Sequence, residues 1–168
     1  MLHWFFRHLS FGRQKEEGFN KALTLIELLL TIAIIGTLSA IAVPTYTGYI
    51  DKQRNTTALV DIKNIESQIE RFNALSGRPP NDFAEAGIAP PLDPWGNSYQ
   101  YLRIAGVPPA GIAGQIRRDR FLNPLNNDYD LYSMGKDRVS VGPLTGAPSW
   151  DDTIRANGGA YVGLASAY

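Results

Sequence analysis

Apolar and polar residues divide the chain into regions of different pattern. Residues 28–50 are 23 consecutive uncharged residues. As a helix they would span roughly 35 Å, slightly more than the hydrocarbon core of a bilayer. Because this run is longer than the apolar core of a secretory signal, it predicts a membrane-spanning helix.

Residues 51–76 are polar on most faces but carry one apolar stripe. Its members recur at spacings of four, three, four and three: Ala58, Ile62, Ile65, Ile69 and Phe72. This spacing predicts an amphipathic helix that continues the apolar segment. Gly77 is a suitable C-terminal cap, and Arg78-Pro79-Pro80 prevents continuation.

Two short segments beyond the helix have the pattern of strands. Asp93-Pro94-Trp95-Gly96 suits a type I turn, and residues 98–104 then alternate between two faces. Residues 128–135 predict a second strand that ends at Gly135. The expected fold class is therefore α+β, with a long N-terminal helix packed on a small antiparallel sheet.

The remaining segments give weaker predictions. The cluster RRDR at 117–120 indicates a solvated loop rather than a binding patch. Ser149 could cap a short helix with Asp151 and Asp152 in its first turn, which would end at Asn157-Gly158. Residues 160–163 are expected to add an edge strand.

Charge and composition exclude several kinds of function. The chain carries 16 basic and 16 acidic residues, so nothing indicates a nucleic-acid partner, and it has no cysteine for disulfides or thiolate metal sites. Its two histidines, His3 and His8, precede the apolar run. Loss of that segment would remove the commonest acid–base catalyst, and no enzyme is expected. The first 22 residues have two more positive than negative charges, which predicts that they stay cytoplasmic.

The motif at the start of the apolar run is informative. ALTLIELLLTIAIIGTLSAIAVP resembles the N-terminus of type IV prepilins and type II secretion pseudopilins. In that family a basic leader is cleaved just before a residue followed by Thr-Leu-Ile-Glu. The resemblance implies a leader of residues 1–22, cleavage between Ala22 and Leu23, and N-methylation at Leu23. Ala22 and Leu23 depart from the family's usual Gly and Phe.

The resemblance also accounts for Glu27, the one acid at the edge of the apolar run. A carboxylate in lipid is costly unless it is paired. Cleavage would give Leu23 a new amino group, and Glu27 of an incoming subunit could neutralise that amine on its neighbour. Alternatively, the helix is an ordinary membrane anchor, and Glu27 simply lies at the lipid interface without a role in assembly. Gly36 and Pro44 occupy the family's positions for a glycine and a helix-disturbing proline, which predicts a bend or a melted turn between them.

The segments DPWGNSYQY and YDLYSMGKD most resemble the major, G-type pseudopilin of type II secretion. This implies a three-stranded sheet and four regions: the leader 1–22, a membrane and assembly segment 23–50, an amphipathic segment 51–76 and a periplasmic domain 77–168. The expected role is a subunit of a homopolymeric filament. It would work with minor pseudopilins, a prepilin peptidase and methyltransferase, and an inner-membrane platform with its ATPase. The alternatives are a type IV pilin and a non-polymerising, membrane-anchored periplasmic domain.

The resemblance to major pseudopilins further implies a structural Ca²⁺ in the C-terminal loop. The available oxygen ligands are Asp137, Ser149, Asp151 and Asp152. Their spacing departs from the family's, because RVSVGPLTGAP intervenes. Ca²⁺ requires six to eight oxygens. Alternatively, Asp151 and Asp152 simply occupy a helix N-terminus.

Overall fold

The computed structural model describes residues 23–168, which form one long helix and a four-stranded sheet. The predicted leader, residues 1–22, lies outside the described residues. Helix α1 spans Leu25–Ser76. The described chain divides after Val43 into two compact units, and the second comprises Pro44–Tyr168.

The sheet is antiparallel throughout, with its strands in sequence order. Its strands are β1 (Gln100–Arg103), β2 (Tyr129–Ser133), β3 (Thr153–Ala156) and β4 (Tyr161–Leu164). Helix α2, Pro109–Ile112, lies between β1 and β2. Three single 3₁₀ turns are formed by Ala147–Ser149, Asn157–Gly159 and Ala165–Ala167. The α+β class is therefore confirmed, with a long helix followed by a small sheet.

The end of α1 agrees with the sequence prediction. The helix stops at Ser76, and Gly77 has a φ of 72°, in the left-handed region that glycine adopts without steric cost. The Gly77 amide donates to the carbonyl of Asn73 at 2.8 Å. The turn after Asp93 is also confirmed, because the Gly96 amide donates to the Asp93 carbonyl at 2.9 Å.

The apolar stripe of α1 packs on one face of the sheet. Ile62, Ile65 and Ile69 are buried against two residues of β2 and two residues that precede β1, namely Tyr129, Leu131, Ile88 and Tyr99. Ala58 is also buried, whereas Phe72 is only half-buried. Burial of a large apolar side chain contributes about 1.5–3 kcal/mol, so this layer fixes the helix on the sheet.

The opposite face of the sheet is covered by loops. Tyr132 and Ile154 are paired across β2 and β3, and Ile154 packs with Leu125, Leu144, Ala156 and Ala165. Because alternate residues of a strand face opposite sides, Leu131 belongs to the helix layer and Tyr132 to the loop layer. The sheet is consequently buried on both faces.

The short helix predicted after Ser149 is wrong, and so is the three-stranded sheet. The segment Thr153–Ala156 is the third strand, and all four of its residues are buried. Capping residues favoured a helix, but β3 gains hydrogen bonds from β2 on one side and from β4 on the other. The edge strand predicted near residues 160–163 is confirmed as β4.

Candidate functional site

The first turn of α1 is organised by Thr24. The Glu27 amide donates to the Thr24 hydroxyl at 3.3 Å, and the Leu28 amide donates to the Thr24 carbonyl at 3.1 Å. Thr24 is thus the N-cap and Glu27 the third helical residue, which is the spacing of a capping box. The sequence contains this signal, but the prediction for Glu27 considered only its charge. Glu27 therefore also lies where it can support the helix start.

Among the described residues, 23–168, none covers the apolar part of α1. Every residue from Leu23 to Tyr49 is exposed, including fourteen large apolar side chains. By length and composition α1 can cross a membrane, with a mean hydropathy of 2.3 over its most apolar window. Exposure of such a large apolar surface to water is unfavourable, so lipid or other helices must cover it.

The residues predicted for assembly lie at the start of this surface. Leu23 is 70% exposed, and Glu27 is exposed as well. Within residues 23–168 the Glu27 carboxylate forms no ion pair. Ala22 lies outside the described residues, so cleavage between Ala22 and Leu23 and methylation of Leu23 stay predictions. An unpaired carboxylate on an apolar helix is suited to pairing with a cation from another molecule.

Helix α1 includes both Gly36 and Pro44. The melted turn predicted between them is therefore not present in the single chain, although the boundary between the two compact units falls at Pro44. Pro44 has no amide to donate to the Ala40 carbonyl, which weakens the helix locally. The Thr47 hydroxyl donates to the Pro44 carbonyl at 3.0 Å and adds one local bond. A bend or break at this position within a filament stays a prediction.

The four candidate calcium ligands do not converge. Asp151 uses one carboxylate oxygen to accept the amides of Lys136 and Asp137, at 2.9 and 3.2 Å. The Ser149 hydroxyl accepts the Val141 amide at 3.0 Å and donates to the Val141 carbonyl at 2.9 Å. Asp137 is exposed. Three of the proposed ligands therefore fasten or flank the loop backbone rather than face a common point.

The fourth candidate, Asp152, faces the interior. Its Oδ2 accepts hydrogen bonds from Arg117 Nη2 and from the Ser140 hydroxyl, each at 2.6 Å. Asp151 and Asp152 therefore bond to different parts of the molecule, Asp151 to the start of the loop and Asp152 to Arg117 and Ser140. Across residues 23–168 no three acidic or histidine side chains approach closely enough to hold a metal ion. The residues present do not fit the calcium site that the resemblance implied.

The prediction that the RRDR cluster is a solvated loop is wrong for Arg117. Its side chain is 3% exposed, and its guanidinium lies 4.2 Å from the centre of the Tyr132 ring. Only Arg120 of the cluster's arginines is fully exposed. A solvated loop was predicted because arginine is rarely buried, but a carboxylate 35 positions along the chain provides the partner that burial requires. Burial raises the pKa of Asp152 to about 6, against the opposing effects of Ser140 and Arg117.

A second buried arginine joins α1 to the sheet. Arg155 on β3 donates to Glu66 of α1 at 2.6 Å and to both oxygens of Asp128 at 2.7 and 2.9 Å. Its guanidinium lies 4.1 Å from the centre of the Tyr129 ring. Burial alone would lower the pKa of Arg155, but the hydrogen bonds that it donates to the two carboxylates outweigh this effect and raise its pKa. No sequence signal identified this network, because its members are far apart in the chain.

Comparison with known proteins identifies relatives that match most of the chain. The chain is 29% identical over 163 residues to the type II secretion system core protein G of Pseudomonas aeruginosa, covering 83% of this chain and 99% of that protein. It is 28% identical to the protein of the same name from Vibrio cholerae, covering 80% and 90%. Over most of its length the chain is therefore similar to the G-type core proteins of type II secretion.

Pilins are similar to a smaller part of the chain. The fimbrial protein EcpC of Eikenella corrodens is 34% identical over 104 residues, covering 62% of each chain. The matches to core protein G thus extend further along the chain than this match to a fimbrial protein. No family model matches the chain, and no solved structure matches it.

Proposed function

We propose that this chain is a structural subunit of a type II secretion pseudopilus. It polymerises through its N-terminal helix after leader cleavage and helps to push folded proteins across the outer membrane. The observation that carries the proposal is the exposed apolar part of α1, with its single carboxylate, ahead of a compact α+β domain. The similarity to core protein G over most of the chain supports it. No step of this role requires catalysis.

The physical driving force lies at the helix start. Lipid is as apolar as the helix surface, so burial of apolar residues alone does not drive association inside the membrane. A charged pair that neutralises Glu27 of one subunit and the Leu23 amine of another relieves two costly charges. The amine exists only after the leader is removed. Processing therefore acts as the switch for assembly, and methylation of Leu23 would preserve the positive charge.

The surroundings of the subunit follow from this role. The apolar helix and the similarity to core protein G fit a protein anchored in the inner membrane. We place the leader in the cytoplasm and residues 77–168 in the periplasm. The partners are further copies of this chain, minor pseudopilins, the prepilin peptidase and methyltransferase, and the assembly platform with its ATPase. No nucleic-acid partner is proposed.

A type IV pilus is the second candidate. The 34% identity to a fimbrial protein favours it, although that match covers only 62% of the chain. Long surface filaments that contain this chain would distinguish a pilus from a short periplasmic pseudopilus. A membrane-anchored domain that never polymerises is the third candidate, and Glu27 would have no role in it beyond the helix start.

The first test is the intact mass of the protein extracted from its native membrane. The proposal predicts a chain that begins at Leu23 and carries one additional methyl group. A chain that still contains residues 1–22 would contradict the proposal, because the amine that pairs with Glu27 would not have formed.

The second test separates the two roles of Glu27. Glu27→Gln keeps a side chain that can complete the capping box, whereas Glu27→Ala removes it. If the charge drives assembly, both variants should lose filaments to the same extent, because each leaves the Leu23 amine of the neighbouring subunit unpaired. A cost of about 3 kcal/mol per contact corresponds to roughly hundredfold weaker association between subunits. Thr24→Ala weakens the cap but keeps the charge, and it should still assemble. Normal filaments with Glu27→Gln would refute the pairing.

A further inference from the structure

The C-terminal loop, defined here as residues 136–151, is closed by a side chain from a distant segment. Arg117 donates through Nη2 to Asp152 at 2.6 Å and through Nη1 to the Ser140 hydroxyl. The Ser140 hydroxyl in turn donates to the same Asp152 oxygen. Asp152 is fully buried, and Arg117 is nearly so. One buried cation thus links the middle of the loop to the residue that follows its end.

Most of the side-chain oxygens of this region that could bind a cation already form hydrogen bonds, and the exception is Asp152 Oδ1, which is buried without a hydrogen-bond partner. Asp151 holds the amides that open the loop, and Ser149 holds both backbone groups of Val141. A Cβ at Gly135 would lie 2.6 Å from Asp151 Oδ2, so that carboxylate is also packed closely against the backbone that follows β2. A calcium ion would need six to eight oxygens directed at one point. The loop could offer them only by losing these contacts.

We propose that Arg117 supplies the positive charge at the C-terminal loop, and that this subunit closes the loop without calcium. A buried carboxylate requires a compensating charge, and the guanidinium provides it together with directional hydrogen bonds. The arginine is held over the Tyr132 ring at 4.2 Å, so it also fastens the loop to β2. The inference goes beyond filament formation, because loop stability is a property of each single subunit.

The first experiment measures the thermal midpoint, Tm, of the wild-type full chain in detergent with a calcium chelator and with excess calcium chloride. The expected result is the same Tm in both solutions. A Tm several degrees higher with calcium, or one tightly bound calcium per chain in equilibrium dialysis, would overturn the proposal. Neither measurement depends on filament formation, so a failed filament test leaves this result interpretable.

The second experiment replaces the proposed cation. Arg117→Met removes the charge but keeps much of the apolar bulk, and leaving Asp152 unpaired should lower Tm by roughly 10 °C. Arg120→Met is the matched control, because Arg120 is exposed in the same segment, and its Tm should stay within about 2 °C of wild type. Equal Tm values for the two variants would refute the role of Arg117.

A third variant covers the case in which Arg117→Met does not fold. Arg117→Lys keeps the charge but lacks the planar fork, so it should fold with a Tm between wild type and Arg117→Met or, where the latter is unfolded, below wild type. Its Tm should also be insensitive to calcium. A Tm of Arg117→Lys equal to wild type would support the charge as the essential feature, whereas a Tm no higher than that of a folded Arg117→Met, or a Tm that rises with calcium, would contradict the proposal.

Discussion

Arg155 is the residue whose loss should most clearly uncouple α1 from the sheet. It lies on β3, its side chain is 2% exposed, and it contacts Glu66 on the helix and Asp128 before β2. Arg155→Met replaces the guanidinium by an apolar side chain of similar length. The change leaves two carboxylates without their cation at the junction of the two layers.

The magnitude follows from the burial of the partners. Removing one partner of a buried ion pair costs about 3–5 kcal/mol. Glu66 is 14% exposed and Asp128 36% exposed, so water can partly solvate Asp128 and the lower end of that range applies. Loss of the contact with the Tyr129 ring, at 4.1 Å, adds about 1 kcal/mol. We therefore expect the free energy of unfolding to fall by about 4 kcal/mol.

Urea unfolding of the full chain in detergent, followed by near-ultraviolet circular dichroism, measures this change. The near-ultraviolet signal reports the buried tyrosines of the sheet, whereas the far-ultraviolet signal would include helix that detergent preserves. Glu66→Gln should cost less than Arg155→Met, because the amide oxygen can still accept a hydrogen bond. Arg71→Met changes an exposed arginine on α1 and should alter stability by less than about 0.5 kcal/mol. A loss below about 1 kcal/mol for Arg155→Met would refute the reasoning.

Two further predictions test local geometry and pH dependence. Gly158→Ala and Gly159→Ala each place a side chain at a positive φ, 63° and 89° respectively, which should lower the free energy of unfolding by about 1–2 kcal/mol each. Only at position 159 would the new Cβ also collide with Glu66 Oε1. Gly159→Ala should thus be less stable than Gly158→Ala in urea unfolding. Equal decreases in the free energy of unfolding would contradict this prediction, because they would show that the Glu66 side chain moves aside without cost. The hydrogen bond from Arg78 lowers the pKa of Glu85 to about 2, below its usual value near 4.3, so this pair stabilises the fold above about pH 4.3 and ceases to do so as the pH falls through 2. The Tm difference between wild type and Glu85→Gln should be present at pH 7 and vanish near pH 2, and a difference that persists there would contradict the assignment.

Local sequence patterns correctly predicted the structural elements that depend on residues close together in the chain. The end of α1 followed from Gly77 and the prolines after it, since capping and proline sterics act within a few positions. The spacing of Ile62, Ile65 and Ile69 identified the buried face of the helix, because helical periodicity places these residues on one side. The turn before β1 and the strand β2 were predicted for the same reason.

Predictions failed where long-range pairing outweighed local preference. Thr153–Ala156 follows residues suited to a helix start, yet it is a strand, because hydrogen bonds from β2 and β4 satisfy its backbone on both sides. RRDR looks solvated in isolation, but Arg117 is buried because Asp152 provides a partner 35 residues away. The three other candidate ligands likewise hold backbone groups that no spacing could reveal.

The sequence by itself determined that an apolar helix with one carboxylate precedes an α+β domain, since hydrophobic periodicity, caps and turn residues act locally. Only the tertiary structure decided which distant charges meet: Arg155 with Glu66 and Asp128, and Arg117 with Asp152. An ion pair depends on where two backbones pass each other in space. For that reason the pairing of Arg117 with Asp152 follows from the fold and not from the local sequence.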